Sequence, residues 1–316
     1  MHEDPGLEHS GPTLSALRSL LRELGPYAFV TPTPATHRRF LERNPREARD
    51  LRDVFGWSLP FAPGLLPEGL LRALERGNLL TTAEGGRLRS KVRVSTLGGL
   101  RFVHSAYPTD ARDAVFFGPD SYRFVRFLRL QLPKVGRPMR LVDMGAGSGV
   151  GGIVVASLVP GAAVTLLDVN PTALLFASAN AADAGVAVAL VEGSRLGDVA
   201  GPVDLVIANP PYIMDDAERA YRHGGGMHGA RVSLDWALEA AERLAPGGTM
   251  LLYTGAAIVD GRDGLREAFD QSLPALGCTL TYEEIDPDVF GEELEKPLYR
   301  EVERIAAVGA AITRRG

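Results

Sequence analysis

The stretch MRLVDMGAGSGVGG, residues 139–152, decides the fold. An apolar run carries Asp143 near its end. Glycines follow at 145, 147 and 149, and apolar residues then resume. This order predicts a buried strand, a sharp turn and the first turn of a helix. Glycines at alternate positions let the backbone bend tightly and approach a ligand. Such a turn suits a nicotinamide, a flavin or S-adenosylmethionine. The spacing is Gly-x-Gly-x-Gly, with Gly152 later, and lacks the lysine of a triphosphate-binding loop.

Working downstream, AVTLLDVN (163–170), AVALVEG (187–193), VDLVIANPP (203–211) and GTMLLYTG (248–255) read as further strands. PTALLFASANAADAG (171–185) and RVSLDWALEAAERLAPGG (231–248) read as helices between them. Strands alternating with helices predict a doubly wound, mostly parallel α/β sheet. TLTYEEIDPD (279–288) and RIAAVGAAITRR (304–315) lack a long helix between them and predict an antiparallel C-terminal hairpin.

Upstream the pattern changes. Residues 1–12 are polar and are expected to be a disordered tail. Thr13 is placed as the cap of a helix carrying Leu14, Leu17, Leu20, Leu21 and Leu24, stopped by Gly25 and Pro26. TPTPAT reads as a connector, HRRFLERNPREARDLRDVFG as one or two short helices, and PEGLLRALERGN as another. Then Arg87, Arg89, Lys91 and Arg93 alternate with apolar residues, and Gly98-Gly99 predicts a hairpin turn. The expected domains are therefore 13–105, mainly helical with a β-hairpin and winged-helix-like in outline, and 106–316.

Composition sets limits. The chain has 316 residues, 45% hydrophobic and 23% charged, as in ordinary globular proteins. Its single cysteine, Cys278, excludes an internal disulfide and any multi-cysteine metal site. No basic, apolar leader and no long apolar span is read, so a cytoplasmic location, no membrane partner and a monomer or weak dimer are expected. Residues 1–105 carry 15 Lys and Arg against 11 Asp and Glu; the remainder carries 19 against 28. The first part is thus +4 and the second −9, which leaves the hairpin as a candidate route to RNA.

Three strand ends carry chemistry besides the glycines. Asp168 ends the second strand, 21 positions after Gly147, where a carboxylate can accept both hydroxyls of a ribose. Asn170 can cap the next helix, which leaves Asp168 for a ligand. Glu192, Gly193 and Ser194 follow the third strand, and the Ser194 hydroxyl can meet an adenine edge. The fourth strand ends in Asn209-Pro210-Pro211-Tyr212. A strand-end turn explains the prolines but not the Asn before them or the Tyr behind.

Methyl transfer to a planar nitrogen explains all four. The lone pair of such an NH2 group is delocalised and needs hydrogen-bond acceptors to aim it. The Asn209 side-chain oxygen and the Pro210 carbonyl can be those acceptors, the prolines fixing their direction. Pro211 and Tyr212 are placed against the substrate, the Tyr212 ring stacking on the flat group. His223 and His228 flank Gly224 to Gly226, a flap over the substrate or an ordinary exposed loop, without a convincing metal-ligand set.

Asp143-x-Gly145-x-Gly147-x-Gly149, Asp168 and Asn209-Pro210-Pro211-Tyr212 together resemble the class I S-adenosylmethionine-dependent methyltransferases, over about two-thirds of the chain, residues 107–315. Within that class they are similar to the family that methylates the glutamine N5 of peptide-chain release factors. The "methyltransferase small" group, with adenine-N6 enzymes of ribosomal and transfer RNA, shares the motif. The resemblance implies a seven-stranded Rossmann-like sheet and S-adenosyl-L-methionine as cofactor. It places Asp143, Gly145, Gly147, Gly149, Asp168, Ser194 and Asn209 at the cofactor, and Asn209, Pro210 and Tyr212 in catalysis. FFGPDSYRFVRFL, at 116–128, departs from the release-factor family's Ile-Pro-Arg-x-Glu-Thr-Glu stretch.

The acidic balance of the second part favours a protein or peptide amide as acceptor. An adenine of RNA or DNA is the alternative, a small-molecule amine a lower one. A cofactor-binding Rossmann protein that transfers no methyl group gives Asn209-Pro210-Pro211-Tyr212 no task.

Overall fold

A computed structural model describes residues 11–44, 46–136, 138–214 and 222–316. The expected tail falls mostly outside these, but Gly11 and Pro12 already belong to the first helix, α1 (Gly11–Glu23). Thr13 is therefore inside the helix and not its cap. Leu17, Leu20, Leu21 and Leu24 are buried against Leu70, Ala73 and Leu74 of α4 (Glu68–Arg76). Between these lie α2 (Pro34–Arg43), capped by Thr33, and α3 (Leu51–Phe55), capped by Asp50. Two hairpins follow: β1 (Leu80–Ala83) with β2 (Arg87–Ser90), and β3 (Val92–Leu97) with β4 (Leu100–Ser105), turning at Gly98-Gly99.

Lys91 is exposed, but several basic residues of this segment are engaged within the fold. Arg93 is 5% exposed; its Nε donates to the Gly56 carbonyl at 2.9 Å and its guanidinium lies over the Phe29 ring. Arg101 forks onto Asp183, at 3.0 and 2.6 Å, and Arg87 pairs with Glu47.

After α5 (Pro119–Val135) the chain alternates: β5 (Arg140–Met144), α6 (Val150–Leu158), β6 (Ala163–Asp168), α7 (Pro171–Ala184), β7 (Ala189–Glu192), β8 (Val203–Ala208), α8 (Arg231–Arg243) and β9 (Leu244–Val259). Then come β10 (Arg262–Asp263), α9 (Gly264–Ser272), β11 (Cys278–Asp286) and β12 (Arg304–Arg314). The strand order is β11-β12-β9-β8-β5-β6-β7, with two-residue β10 pairing β9 as an eighth strand. Strands β5 to β9 pair in parallel, while β12 runs antiparallel between β9 and β11.

Both faces of the central strands are covered, which is why they read as unbroken apolar runs. Leu141, Leu205, Ile207 and Leu251 point into one core with Phe124, Phe127 and Ile153 of α5 and α6. Val142, Val206, Ala208 and Met250 point into the other with Ala237, Ala240 and Phe269 of α8 and α9. Helix α7 joins the two parts of the chain. Its Ala173, Phe176 and Ala179 complete the N-terminal core, and small residues there let the hairpin approach. Asn180, fully buried, accepts from the Val103 N–H at 2.7 Å and donates to the Val103 and Ser148 carbonyls.

Candidate active site

The chain leaves β5 toward β6 on one side and later returns through β8 on the other. Ligands of open α/β sheets bind at such a switch point, beyond the carboxyl ends of the strands. A cavity of about 700 Å³ lies there, a size that suits a small-molecule ligand. It is lined by the turns after β5, β6, β7 and β8, and from the N-terminal part by Pro34, Ala35 and Arg38.

Gly145, Gly147 and Gly149 all take left-handed backbone angles, φ +70°, +55° and +79°. Side chains rarely adopt these. A Cβ at Gly145 would also strike the Trp236 ring at 2.6 Å, whereas Gly147 faces open space. The loop is strapped to β6 by Gly145 and Ala146 N–H groups donating to the Leu167 carbonyl. Beneath it, Asp143 accepts from the Gly152 N–H at 2.7 Å and braces the start of α6. Its carboxyl is 1% exposed. Burial pushes its pKa up to about 7, the Asp168 charge adds to the rise, and the Gly152 bond opposes it. Asp143 therefore braces the loop from beneath, and it also lines the cavity.

Asp168 lines the cavity, but it is not unengaged as expected. One oxygen accepts from the Gly147 N–H at 2.8 Å and the other from Asn170 N–H at 2.9 Å. Burial raises its pKa and these backbone donors lower it. Each carboxylate oxygen retains a second lone pair for a ribose hydroxyl. Asn170 caps α7 as expected, accepting from Thr172 N–H at 3.0 Å. Gly193 and Ser194 line the cavity; Glu192 is exposed and does not.

Asn209 stands half-buried at the end of β8, on the cavity wall, and its side chain has no hydrogen-bond partner among the described residues. Pro210 is buried. The segment 222–229 packs on this turn: Ile213 N–H donates to the Arg222 carbonyl and Gly224 N–H to the Ile213 carbonyl. A Cβ at Gly224 would come within 2.6 Å of the Tyr212 Cα. Gly224 is thus a close-packing glycine that buttresses the motif. His223 lines the cavity and half-buried His228 does not.

Tyr212 differs most from expectation. It is 6% exposed, its ring lies against Gly255 and edge-on to Phe290, and its hydroxyl donates to Asp120 Oδ2 at 2.6 Å. Asp120 and Tyr253, which donates to Asp120 Oδ1 at 2.9 Å, were not singled out by sequence. The Pro119-Asp120 pair after Gly118 signals a helix start, yet its partners lie far away in the chain.

Gly149 packs against Ile153, Ala177 and Leu166 and does not line the cavity. Gly145 and Gly147 in left-handed conformation, the Asp168 carboxylate at the end of β6 and an Asn after β8 share one cavity whose lining carries no lysine among the described residues. These residues fit S-adenosylmethionine: Asp168 and the Gly145–Gly147 backbone would hold it. Fold and site together define a class I S-adenosylmethionine-dependent methyltransferase. The Methyltransferase small domain family matches residues 125–272. A release factor glutamine methyltransferase of Deinococcus radiodurans is 32% identical over 211 residues, 62% of this chain and 68% of that protein. One from Bradyrhizobium diazoefficiens is 33% identical over 229 residues, 65% of this chain and 75% of that one. Ribosomal RNA small subunit methyltransferase C of Hahella chejuensis is 34% identical over 113 residues, but this spans 36% of the chain and 30% of that enzyme. The chain belongs to the release factor glutamine methyltransferase family, and S-adenosylmethionine is its methyl donor. Among the described residues no helix is long and apolar enough to cross a membrane.

Proposed function

We propose that the protein methylates a glutamine side-chain amide in a protein, with a peptide-chain release factor as substrate. The observation that carries this reading is Asn209: a half-buried amide on the cavity wall, without a hydrogen-bond partner among the described residues, beside a Pro-Pro turn. When bound, S-adenosylmethionine supplies an electrophilic methyl group on a sulfonium. Asn209 Oδ1 and the Pro210 carbonyl accept the two hydrogens of the acceptor NH2. That localises the nitrogen lone pair and points it along the line of displacement. The names of the two longer-matching relatives support glutamine over adenine, as does the inward turn of Arg93 and Arg101. Residues 13–105 would serve substrate recognition, since Pro34 and Arg38 reach the cavity.

The test is transfer of labelled methyl groups to purified release factor and to a variant with its acceptor glutamine replaced. Asn209→Ala should lower kcat by at least about 100-fold, because its bonds strengthen in the transition state. Cofactor affinity should stay within about tenfold. Label on RNA and none on protein would overturn the proposal.

A further inference from the structure

The methyl-transfer reading leaves unexplained how the Asn-Pro-Pro-Tyr turn keeps its aim. Pro210 and Pro211 have no N–H, so two consecutive positions of the motif offer the backbone no donor by which it could be tied down. The nearest side chain that can do so is Tyr212. Its hydroxyl reaches across the cavity floor to Asp120, the second residue of α5, 6% exposed and on the cavity wall. Asp120 also accepts from the Tyr253 hydroxyl, on β9, at 2.9 Å. Arg123, one turn along α5, lies 3.3 Å from Asp120 Oδ1 and pairs with Asp286, at the end of β11, at 2.9 Å. One carboxylate therefore gathers the turn after β8, the middle of β9 and, through Arg123, the end of β11.

A carboxylate is the group this junction requires. It accepts two hydroxyls at once without offering a hydrogen that needs its own partner. Charge-assisted bonds of this kind are shorter and stronger than neutral ones. Displacement is sensitive to aim: a misplacement of about 1 Å can cost on the order of 100-fold in rate. We propose that Asp120 is a positioning residue, which fixes the Asn-Pro-Pro-Tyr turn through Tyr212 and so aims Asn209 and the Pro210 carbonyl at the acceptor nitrogen. This rests on the methyl-transfer reading above.

The groups facing Asp120 are Tyr212, Tyr253 and Arg123, with Asp286 behind the arginine. Burial raises the Asp120 pKa, and the two tyrosines and Arg123 oppose the rise. Protonation would put a hydrogen where a tyrosine now donates, so turnover should fall as pH drops through that raised value.

The experiment compares wild type, Asp120→Asn, Tyr212→Phe and the double variant by kcat, KM and cofactor Kd across pH. Each single variant should lose about 10- to 100-fold in kcat, with cofactor Kd within about threefold. The double variant should lose no more than the worse single, because both break one link. The acid limb of kcat should vanish in both singles. Additive losses, kcat within about twofold of wild type, or an unchanged acid limb would overturn the proposal. If Asp120→Asn fails to fold, Tyr212→Phe decides alone by the same kcat criterion. Amide hydrogen exchange at Tyr212 and Ile213 needs no acceptor substrate. Faster exchange in Tyr212→Phe supports the anchor, and unchanged exchange overturns it. An enzyme whose wild type methylates no protein, yet shows that faster exchange, would refute the substrate reading and leave the anchor standing.

Discussion

Replacing Asp143 by asparagine should flatten the fall of folding stability between about pH 4 and pH 7. The side chain is 1% exposed and accepts one backbone N–H, from Gly152, with the Asp168 charge nearby. Its pKa is pushed from an ordinary 3.8 up to about 7. The folded chain thus holds this proton roughly a thousandfold more tightly than the unfolded chain, an effect of about 4 kcal/mol at ~1.36 kcal/mol per decade. The sign follows from which state ionises first. Below pH 3.8 both states are protonated and the group costs nothing. As pH rises, the unfolded chain ionises freely while the folded one retains its proton, so folding loses stability. Above about 7 both are ionised and the loss is constant. Asparagine carries no charge at any pH. The stability of Asp143→Asn minus that of wild type should therefore climb by up to about 4 kcal/mol across this window and then level off. A smaller offset, from exchanging the acceptor of the Gly152 bond, should not vary with pH. Urea unfolding at a series of pH values, followed by tryptophan fluorescence and circular dichroism, measures the difference. Parallel stability curves for the two proteins would refute the reasoning.

Three further substitutions probe the same architecture. Gly255→Ala would drive a Cβ into the Tyr212 ring; a loss of about 1–3 kcal/mol in urea unfolding, with reduced kcat, is expected, and an unchanged midpoint would show that the ring can yield. Asp168→Ala removes the acceptor of two backbone N–H groups and, on the proposed cofactor contact, of the ribose hydroxyls; calorimetry should show cofactor Kd weakened by at least about tenfold, and an unaltered Kd would take Asp168 out of the site. Arg101→Ala breaks a forked pair with Asp183 whose side chains are 24% and 14% exposed; about 1–3 kcal/mol should be lost, and a double-mutant cycle with Asp183→Ala that shows no coupling would refute the tether.

The sheet was readable because its information is local. The central parallel strands β5, β8 and β9 bury both faces, so each announces itself as an apolar run, and the glycines at 145, 147 and 149 occupy backbone angles that other residues resist. The hairpin misled for a physical reason. Alternation along 87–94 separates two faces but does not say that both are covered; Arg93 sits where a solvated residue was expected because Phe29 and the Gly56 carbonyl close over it. Asp168 was located correctly and its engagement missed, since the Gly147 N–H that binds it is 21 residues away. Asp120 lies in the quoted stretch 116–128, but its partners were illegible for the same reason. Its tyrosines are 92 and 133 residues downstream, and nothing in a single sequence links a helix-opening Asp to them.

The fixed position of Tyr212 also bears on how acceptors are told apart. Tyr212 lines the cavity with its hydroxyl held by Asp120, its ring against Gly255 and Phe290 edge-on at 5.7 Å, so its position is fixed. The motif therefore divides in two. Pro210, Pro211 and Tyr212 form a support, and Asn209 with the Pro210 carbonyl is the part that we propose meets the nitrogen. On that proposal such a floor would recognise an NH2 group, which amides and adenines share. Discrimination must then lie higher on the walls. There Pro34, Arg38 and Tyr107 stand on one side, and Glu292 and Glu295, from the segment between β11 and β12, on another. These wall residues come from segments outside the glycine-loop and Asn-Pro-Pro-Tyr motifs, so on this proposal substrate choice and methyl transfer would rest on separate parts of the chain.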